Sequence, residues 1–559
     1  MDTRRAVLAV ALSLLILVGF QYFFVPPPEQ SRENNQTDNR EAEKSTMESP
    51  QSSALKYDSS QEKALKGQAV PASGESAETA DFSKARDIVV ETDLYTAVIS
   101  EAGGGIKSFR LKKYREDIDK DSPKKELVKT STPRELPLFF SWGIPSQLEL
   151  PLYKADKERL EIHNGSEQLT FTATLPSGLS ICRTMTFRAG DYLIDLDVDV
   201  INKTGHRVNG APLLAMTNKP FSESQSARER FLFHGPALYQ NSSLEEIKVD
   251  DIRDGGEIRS GSISWTAYED NYFMTCVIPE TGTSHTVRYL SGHQNKVITE
   301  ITEKQLITPP AGQESYHYKV YFGPKEMKNL KASGYNLSEI VNFGWFDVLA
   351  KPMLYLLQFL YSFLYNYGWA IIITTLIVKL IFWPISHKGM KSMKTMQKLQ
   401  PKMAKLREKY KNDKETLNKE MMQLYRTYKV NPVGGCLPLV VQIPVFVALY
   451  KVLLQTIELR HAPFMLWIND LSAPERLYIG FDIPVLGGIP VLTLIMGFTM
   501  YLQQKLTPTT GDPTQAKIMK FLPVVFIFVF INFSAGLVLY MLVTNLLAIA
   551  QQYYINRST

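Results

Sequence analysis

Apolar residues fall into two kinds of segment along this chain, long unbroken runs and short alternating ones, and the two kinds occupy different regions. Residues 6–25 (AVLAVALSLLILVGFQYFFV) form the first unbroken run. It is uncharged, follows Arg4 and Arg5, and is long enough to cross a hydrocarbon core roughly 30 Å thick. A cleaved signal peptide would share the basic start and apolar middle. No A-x-A-like cleavage site follows, however, and the run continues through Phe23, Phe24 and Val25. The pattern predicts an uncleaved signal anchor within residues 1–25. Residues 26–80 are rich in Ser, Glu, Gln, Asn and Ala and almost without aromatics, a composition that cannot bury enough apolar area to offset chain entropy. They predict a disordered tether.

From about Asp81 to Pro324 the texture is that of strands: TAVIS after Tyr95, LTFTATL from Leu169, YLIDLDVDVI from Tyr192 and YHYKVYF from Tyr316, separated by Gly, Asn, Asp and Pro. A large, mostly antiparallel β-sandwich follows, with its domain drawn at 81–335. Alternation in Asp195 to Val200 puts acids on one face and Leu or Val on the other, as a half-solvated sheet requires. The acid row reads as a solvated face, with ligand binding as the alternative. Cys182 and Cys276 both lie in strand-like runs and fit a bridge or buried thiols equally, because two cysteines give no spacing signature.

Beyond Pro324 the pattern turns helical. Residues 339–351 set Trp345 and Phe346 beside Asn342 and Asp347, the make-up of an interfacial amphipathic helix. Four more runs are membrane grade: 352–383, 430–457, 483–504 and 521–556. The last would measure about 54 Å as a single helix, far more than a bilayer core needs, so it divides at Asn532 to Gly536. The expected spans are thus 6–25, 352–386, 430–457, 483–504, 521–533 and 534–556.

Charge orients them. Residues 387–429 hold 13 Lys or Arg against four acids, whereas 458–482 hold two Arg against four acids. The positive-inside rule puts the first loop, the 505–520 loop and both termini in the cytoplasm, and the second loop and the β-domain outside the inner membrane. The basic loop is itself periodic. Met393, Met396, Leu399, Met403, Leu406 and Tyr410 recur at three and four, as do Leu417, Met421, Leu424 and Tyr428, with Asn412 and Asp413 between. A cytoplasmic helical hairpin is expected. Its Met stripe reads as coiled-coil core or as an adaptable apolar surface, and its lysines suit anionic lipid headgroups or ribosomal RNA.

Averages over 559 residues, 44% hydrophobic and net +5, conceal these two halves. No catalytic cluster emerges: the eight histidines are scattered and no G-x-x-x-x-G-K-[ST] loop is present. A non-enzymatic protein without cofactor is expected. The residue that stands out is Lys379, a charge just below an uncharged run, costing a few kcal/mol at membrane depth unless it is held in a wet or protein-lined site. Pro384 is only about 7.5 Å of helix rise further on, so the ammonium could instead snorkel to the interface. Thr374, Thr375, Gln442, Thr544 and Asn545 are further polar side chains at membrane depth, fit either to line a groove or to bond between packed helices.

The stretch 431–450, NPVGGCLPLVVQIPVFVALY, resembles the signature of the YidC/Oxa1/Alb3 membrane protein insertases, and LRHAPFMLWINDLS (459–472), TPTTGDPTQAKIMKFLPVVF (507–526) and GLVLYMLVTNL (536–546) extend the match. The resemblance covers about 345–556 strongly. The signal anchor and external β-domain are similar to the Gram-negative branch. It implies a multidomain membrane protein: signal anchor, periplasmic all-β supersandwich, and a five-helix transmembrane bundle with a cytoplasmic hairpin. It aligns Lys379 with a groove cation that is most often Arg, a change that keeps the charge but loses the planar fork. The family's substrate-contacting positions map to Thr375, Tyr540 and Met541, the last where relatives can carry a second Tyr.

Implied partners are nascent membrane proteins, the Sec translocon, anionic lipids, and the ribosome through the cytoplasmic loops, since the tail after Gln552 is short; a monomer is expected. Two other classes compete. A secondary transporter would need an inverted repeat, and none is legible; a membrane-anchored envelope enzyme working through a sugar-binding-like β-domain would need a carboxylate pair or His cluster.

Overall fold

The computed structural model describes residues 82–558 apart from 131, 144–149, 222–232, 254–255, 293–294, 304–305, 429–436, 482, 484–485 and 507–512. The expected signal anchor and tether lie outside the described residues, as does Cys436.

Alternation over 87–324 becomes three sheets of nine, six and five strands among the described residues, antiparallel except where Asp87–Thr92 meets Arg159–Ile162. The nine-stranded sheet is built around Leu193–Asn202, which pairs with Leu179–Arg188 on one side and Gln313–Pro324 on the other. Leu196, Val198 and Val200 are fully buried, and the aspartates between them point the opposite way, as the two-residue strand period demands. The register accounts for the acid row. Asp195 faces Lys319, Asp197 faces His317 and Asp199 faces Ser315. Lys319 and Arg188 pair with Asp195, His317 Nδ1 lies 2.7 Å from Asp197, and Ser315 donates to Asp199. These are cross-strand pairs on a wet face. Cys182 and Cys276 are free thiols.

One buried charge pins the three-glycine turn at 103–105. Arg183, fully buried, donates to the carbonyls of Gly104 (2.8 Å) and Leu138 (2.9 Å). Gly104 has φ +66, and a Cβ there would stand 2.4 Å from the guanidinium, so neither the backbone nor the space admits a side chain.

Ten α-helices follow in chain order among the described residues: α1 (Val249–Arg253), α2 (Met327–Ser333), α3 (Asp347–Leu364), α4 (Tyr367–Ile381), α5 (Trp383–Lys409), α6 (Lys414–Thr427), α7 (Leu437–Gln455), α8 (Val491–Leu506), α9 (Pro513–Phe530) and α10 (Ala535–Ser558). The boundary drawn at 351/352 is displaced. Residues 337–346 form short 3-10 turns, and the interfacial pattern is carried instead by α3, which buries Ala350, Met353, Leu354 and Leu357 and exposes Val348, Phe359 and Phe363. It ends where Tyr365 takes φ +51. Asn366 then caps α4, its side-chain oxygen accepting from the Trp369 N–H (3.2 Å) while its amide donates to the Phe464 carbonyl (3.0 Å). The run read as one span over 352–386 is therefore two helices with an Asn-capped break. By itself only Ala535–Arg557, within α10, is long and apolar enough to cross a membrane among the described residues; α4 passes together with α5, bent by 65°.

Helices α5 and α6 are the expected hairpin. Asp413 caps α6 by accepting from Thr416 N–H, and Met396, Leu399 and Met403 are buried against Met421, Leu424 and Tyr425. The break in the last run falls at 531–534, beside the expected Asn532–Gly536.

A single hydrophobic cluster runs from the sheets into the helices. Arg460, just beyond α7, fastens the two: its Nη2 donates to the carbonyls of Arg115 and Glu116, both at 2.7 Å, and the guanidinium lies over Phe273. Lys451 of α7 donates to the Phe343 carbonyl (2.9 Å), tying the segment before α3 to the bundle.

Two outcomes follow from this packing. Gly368 of α4 has its missing Cβ 1.9 Å from the Phe464 ring. Gly368→Ala should destabilise by about 1–3 kcal/mol, read as a lower melting temperature in detergent. Glu269 is buried beside Lys325, its Oε1 has no partner, and burial pushes its carboxyl up to about 7. Because the folded value is raised, its contribution to stability is complete below the ordinary carboxyl range and is lost as pH rises to about 7. The β-rich melting transition should therefore weaken over that interval, and Glu269→Gln should flatten the slope.

Candidate functional site

Helix α4 shows which way Lys379 faces. Ile371, Thr375 and Lys379 recur every four residues and so share one side of the helix. The first two are buried and Lys379, in the last turn, is half-buried. Leu376 and Leu380, 41% and 58% exposed, mark the exposed side. Lys379 stands between the two sides, about 40° round from Thr375 and about 60° from Leu376. The ammonium thus leaves the helix on the flank of its packed face. Burial is what acts on it, and no carboxylate lies within ion-pair distance among the described residues. Its one evident compensation is its place at a helix C-terminus, where a cation gains about 0.3–1 kcal/mol.

The other expected residues divide. Thr375 donates back to the Ile371 carbonyl (2.6 Å), which leaves its oxygen free only as an acceptor. Gln442 of α7 donates through Nε2 to the hydroxyl of Tyr540 on α10; Tyr540 is buried, and its ring neighbours Phe446. Met541 is half-buried beside it, packed on the core. Asn545 turns elsewhere: its amide approaches Thr499 of α8 at 3.5 Å in a buried helix contact. The structure therefore brings Gln442 to Tyr540 and aligns Thr375 with Lys379, while Asn545 serves helix packing. Of the remaining threonines, Thr544 lies one turn beyond Tyr540, and its buried hydroxyl has no protein partner. Thr374 keeps a buried hydroxyl without a protein partner.

A further set carries no signal in the sequence. Buried polar atoms without a protein partner include His387 Nδ1, Gln504 Oε1 and Gln551 Nε2, besides Thr374. The first three belong to the start of α5 and the ends of α8 and α10 that lie toward Lys379, while Thr374 sits at the middle of α4. Such atoms are costly in a dry interior and are normally satisfied by water. Nothing in the local sequence distinguishes Gln504 or Gln551 from surface glutamines; helix packing alone buries them.

The β-domain carries a cleft of about 340 Å³ lined by Asp195, Asp197, Glu280, His317, Lys319 and Tyr335. Both aspartates are already paired with cations or His317, and among the described residues no group of three or more His, Cys, Asp or Glu could hold a metal.

With this geometry in view, comparisons with known proteins agree along the whole chain. A family model described as 60Kd inner membrane protein matches residues 359–559, and one described as YidC periplasmic domain matches 87–356. The membrane protein insertase YidC of Geotalea daltonii is 41% identical over 558 residues, covering 99% of both chains. That of Syntrophus aciditrophicus is 40% identical over 565 residues, again covering 99% of each. Among solved structures, an active YidC insertase with its first transmembrane domain resolved is 21% identical, covers 84% of this chain and 92% of its own, and has a TM-score of 0.37. The chain belongs to the YidC family of membrane protein insertases, non-enzymatic proteins of the inner membrane that carry a periplasmic domain.

Proposed function

We propose that the chain inserts and folds nascent inner-membrane proteins, alone or with the Sec translocon, through a hydrophilic groove that opens to the cytoplasm beside Lys379. The observation that carries this reading is the half-buried ammonium without a counter-charge on the packed flank of α4, accompanied by the unpartnered polar atoms of His387, Gln504 and Gln551 toward the same end of the bundle. A cation so placed attracts an acidic or polar segment of a client and holds water around it. The segment then meets less of the hydrocarbon barrier, which costs a few kcal/mol or more per charge. Thr375, Gln442, Tyr540 and Met541 would line its path.

A second term is geometric. Helix α4 has 15 residues and α8 has 16, about 22 and 24 Å, against a core of roughly 30 Å. Spans of that length favour local thinning of the bilayer. The shortness falls on α4 and α8 rather than on the last span, since α10 has 24 residues. Release of the client's apolar helix into lipid then drives the step by hydrophobic transfer. In this reading the protein crosses the membrane six times as a monomer. Its basic α5–α6 hairpin faces the cytoplasm, where anionic lipids and the ribosome are its partners.

Lys379 gives a graded test in a depletion strain with a client bearing an acidic translocated tail. Lys379→Arg should preserve insertion, Lys379→Ala should lower it roughly fivefold for a point-charge attraction of about 1 kcal/mol, and Lys379→Glu should abolish it. Normal insertion by the Glu variant would remove the electrostatic step. Photocrosslinking to a stalled nascent chain should succeed from positions 375, 379 and 540 and fail from 545, whose side chain turns to α8.

A further inference from the structure

Between α7 and α8 the chain makes a loop whose middle, Leu471 to Arg476, touches the ends of three helices. The first two N–H groups of α10, orphan donors by helix geometry, are taken by loop carbonyls: Ala535 donates to Ala473 (2.7 Å) and Gly536 to Leu471 (2.9 Å). Glu475, 4% exposed, accepts from the Thr493 N–H in the first turn of α8 (3.2 Å) and from Trp467 Nε1 (2.9 Å). Arg476 donates through Nη2 to the Ile531 carbonyl just past α9 (2.8 Å) and to Asn532 Oδ1 (3.3 Å), and through Nε to Leu486 O (2.9 Å). An anion therefore sits at a helix N-terminus and a cation at a helix C-terminus, each matched to its dipole, from adjacent positions.

Helix α9 is the one that needs this hold. Phe521, Val524, Val525, Phe528 and Val529 are all exposed, so most of its girth faces away from the protein. Its packing is chiefly on α8, where Ile527 lies against Gly497, close enough that a Cβ would meet it at 2.3 Å. Beneath the loop, in the turn between α9 and α10, Ser534 is fully buried. The loop contacts and Ser534 are at the end of the bundle opposite Lys379.

We propose that the Glu475–Arg476 pair is the outer latch of the bundle. It fastens the ends of α8, α9 and α10 to one loop, so that a groove reached from the Lys379 side stays closed at its far end. Glu475 and Arg476 act as positioning residues and touch no client. The inference rests on the groove reading, but labelling tests it without a client protein, so a failure of the Lys379 step would leave the labelling result unchanged.

The probe is Ser534→Cys in the full chain with Cys182, Cys276 and Cys436 replaced by Ser, treated in intact cells with a membrane-impermeant maleimide from outside. With the latch intact the thiol should react slowly. Arg476→Ala should raise its rate roughly tenfold, the scale of losing a hydrogen bond to a charged group; Arg476→Lys should restore most of the protection, and Glu475→Ala should also accelerate reaction. A cysteine at Asn412 in the hairpin should stay unlabelled from outside throughout. The latch is overturned if Arg476→Ala accumulates normally and Ser534→Cys reacts at the parental rate, or if Asn412→Cys becomes reactive in step, which would mean general loosening. Should Arg476→Ala fail to accumulate, the same comparison with Arg476→Gln, similar in length and uncharged, decides it on the same criteria.

Discussion

Polar groups inside an apolar helical bundle must find partners, and most of the informative contacts in this protein answer that demand. Helix ends are satisfied from outside the helix: Asn366 at α4, Asp413 at α6, Glu475 at α8, Arg476 at α9, and loop carbonyls at α10. Lys394 of α5 donates to the Ile555 and Asn556 carbonyls at the C-terminal end of α10. Charges near the bundle are treated likewise, with Lys451 and Arg460 bonded to backbone carbonyls. Against that background Lys379 stands out, because α4 buries half of it and gives it no counter-charge. An unpaired cation survives there if water reaches it, and a wet place within a bundle of short helices is what an insertase can use.

The two ends of the bundle differ in kind. Toward Lys379 lie the unpartnered atoms of His387, Gln504 and Gln551, whereas at the other end, where Thr456 and Ser534 also keep unpartnered hydroxyls, a loop supplies matched caps to three helices. The asymmetry provides a direction. In the proposed reading, a polar segment enters from one side and meets a hydrogen-bonded closure on the other. The β-domain is joined to the end opposite Lys379, through Arg460 and the shared apolar cluster. Its polar cleft is an ion-paired sheet face.

Much of this was legible from the chain alone, because periodicity is a local property. Alternation in residues 192–201 fixes a strand and its wet face; recurring Met and Leu fix the hairpin; length forces the 521–556 run to break; a lone Lys beside apolar residues marks the candidate site. Tertiary structure decided what depends on which elements meet. The turn at Tyr365–Asn366 was hidden within an apolar run, since it needs the Phe464 carbonyl, 98 residues away, to hold Asn366. Gln442 and Tyr540 are likewise 98 residues apart, and only helix packing joins them. Asn545 looked equivalent to Gln442 in sequence, but its angular position on α10 turns it toward Thr499. Glu475 and Arg476 read as loop charges until the helix ends they cap are brought together. Sequence sets the period and charge of each element, and the partner of each polar group is set by the packing angle and contact face of helices distant along the chain.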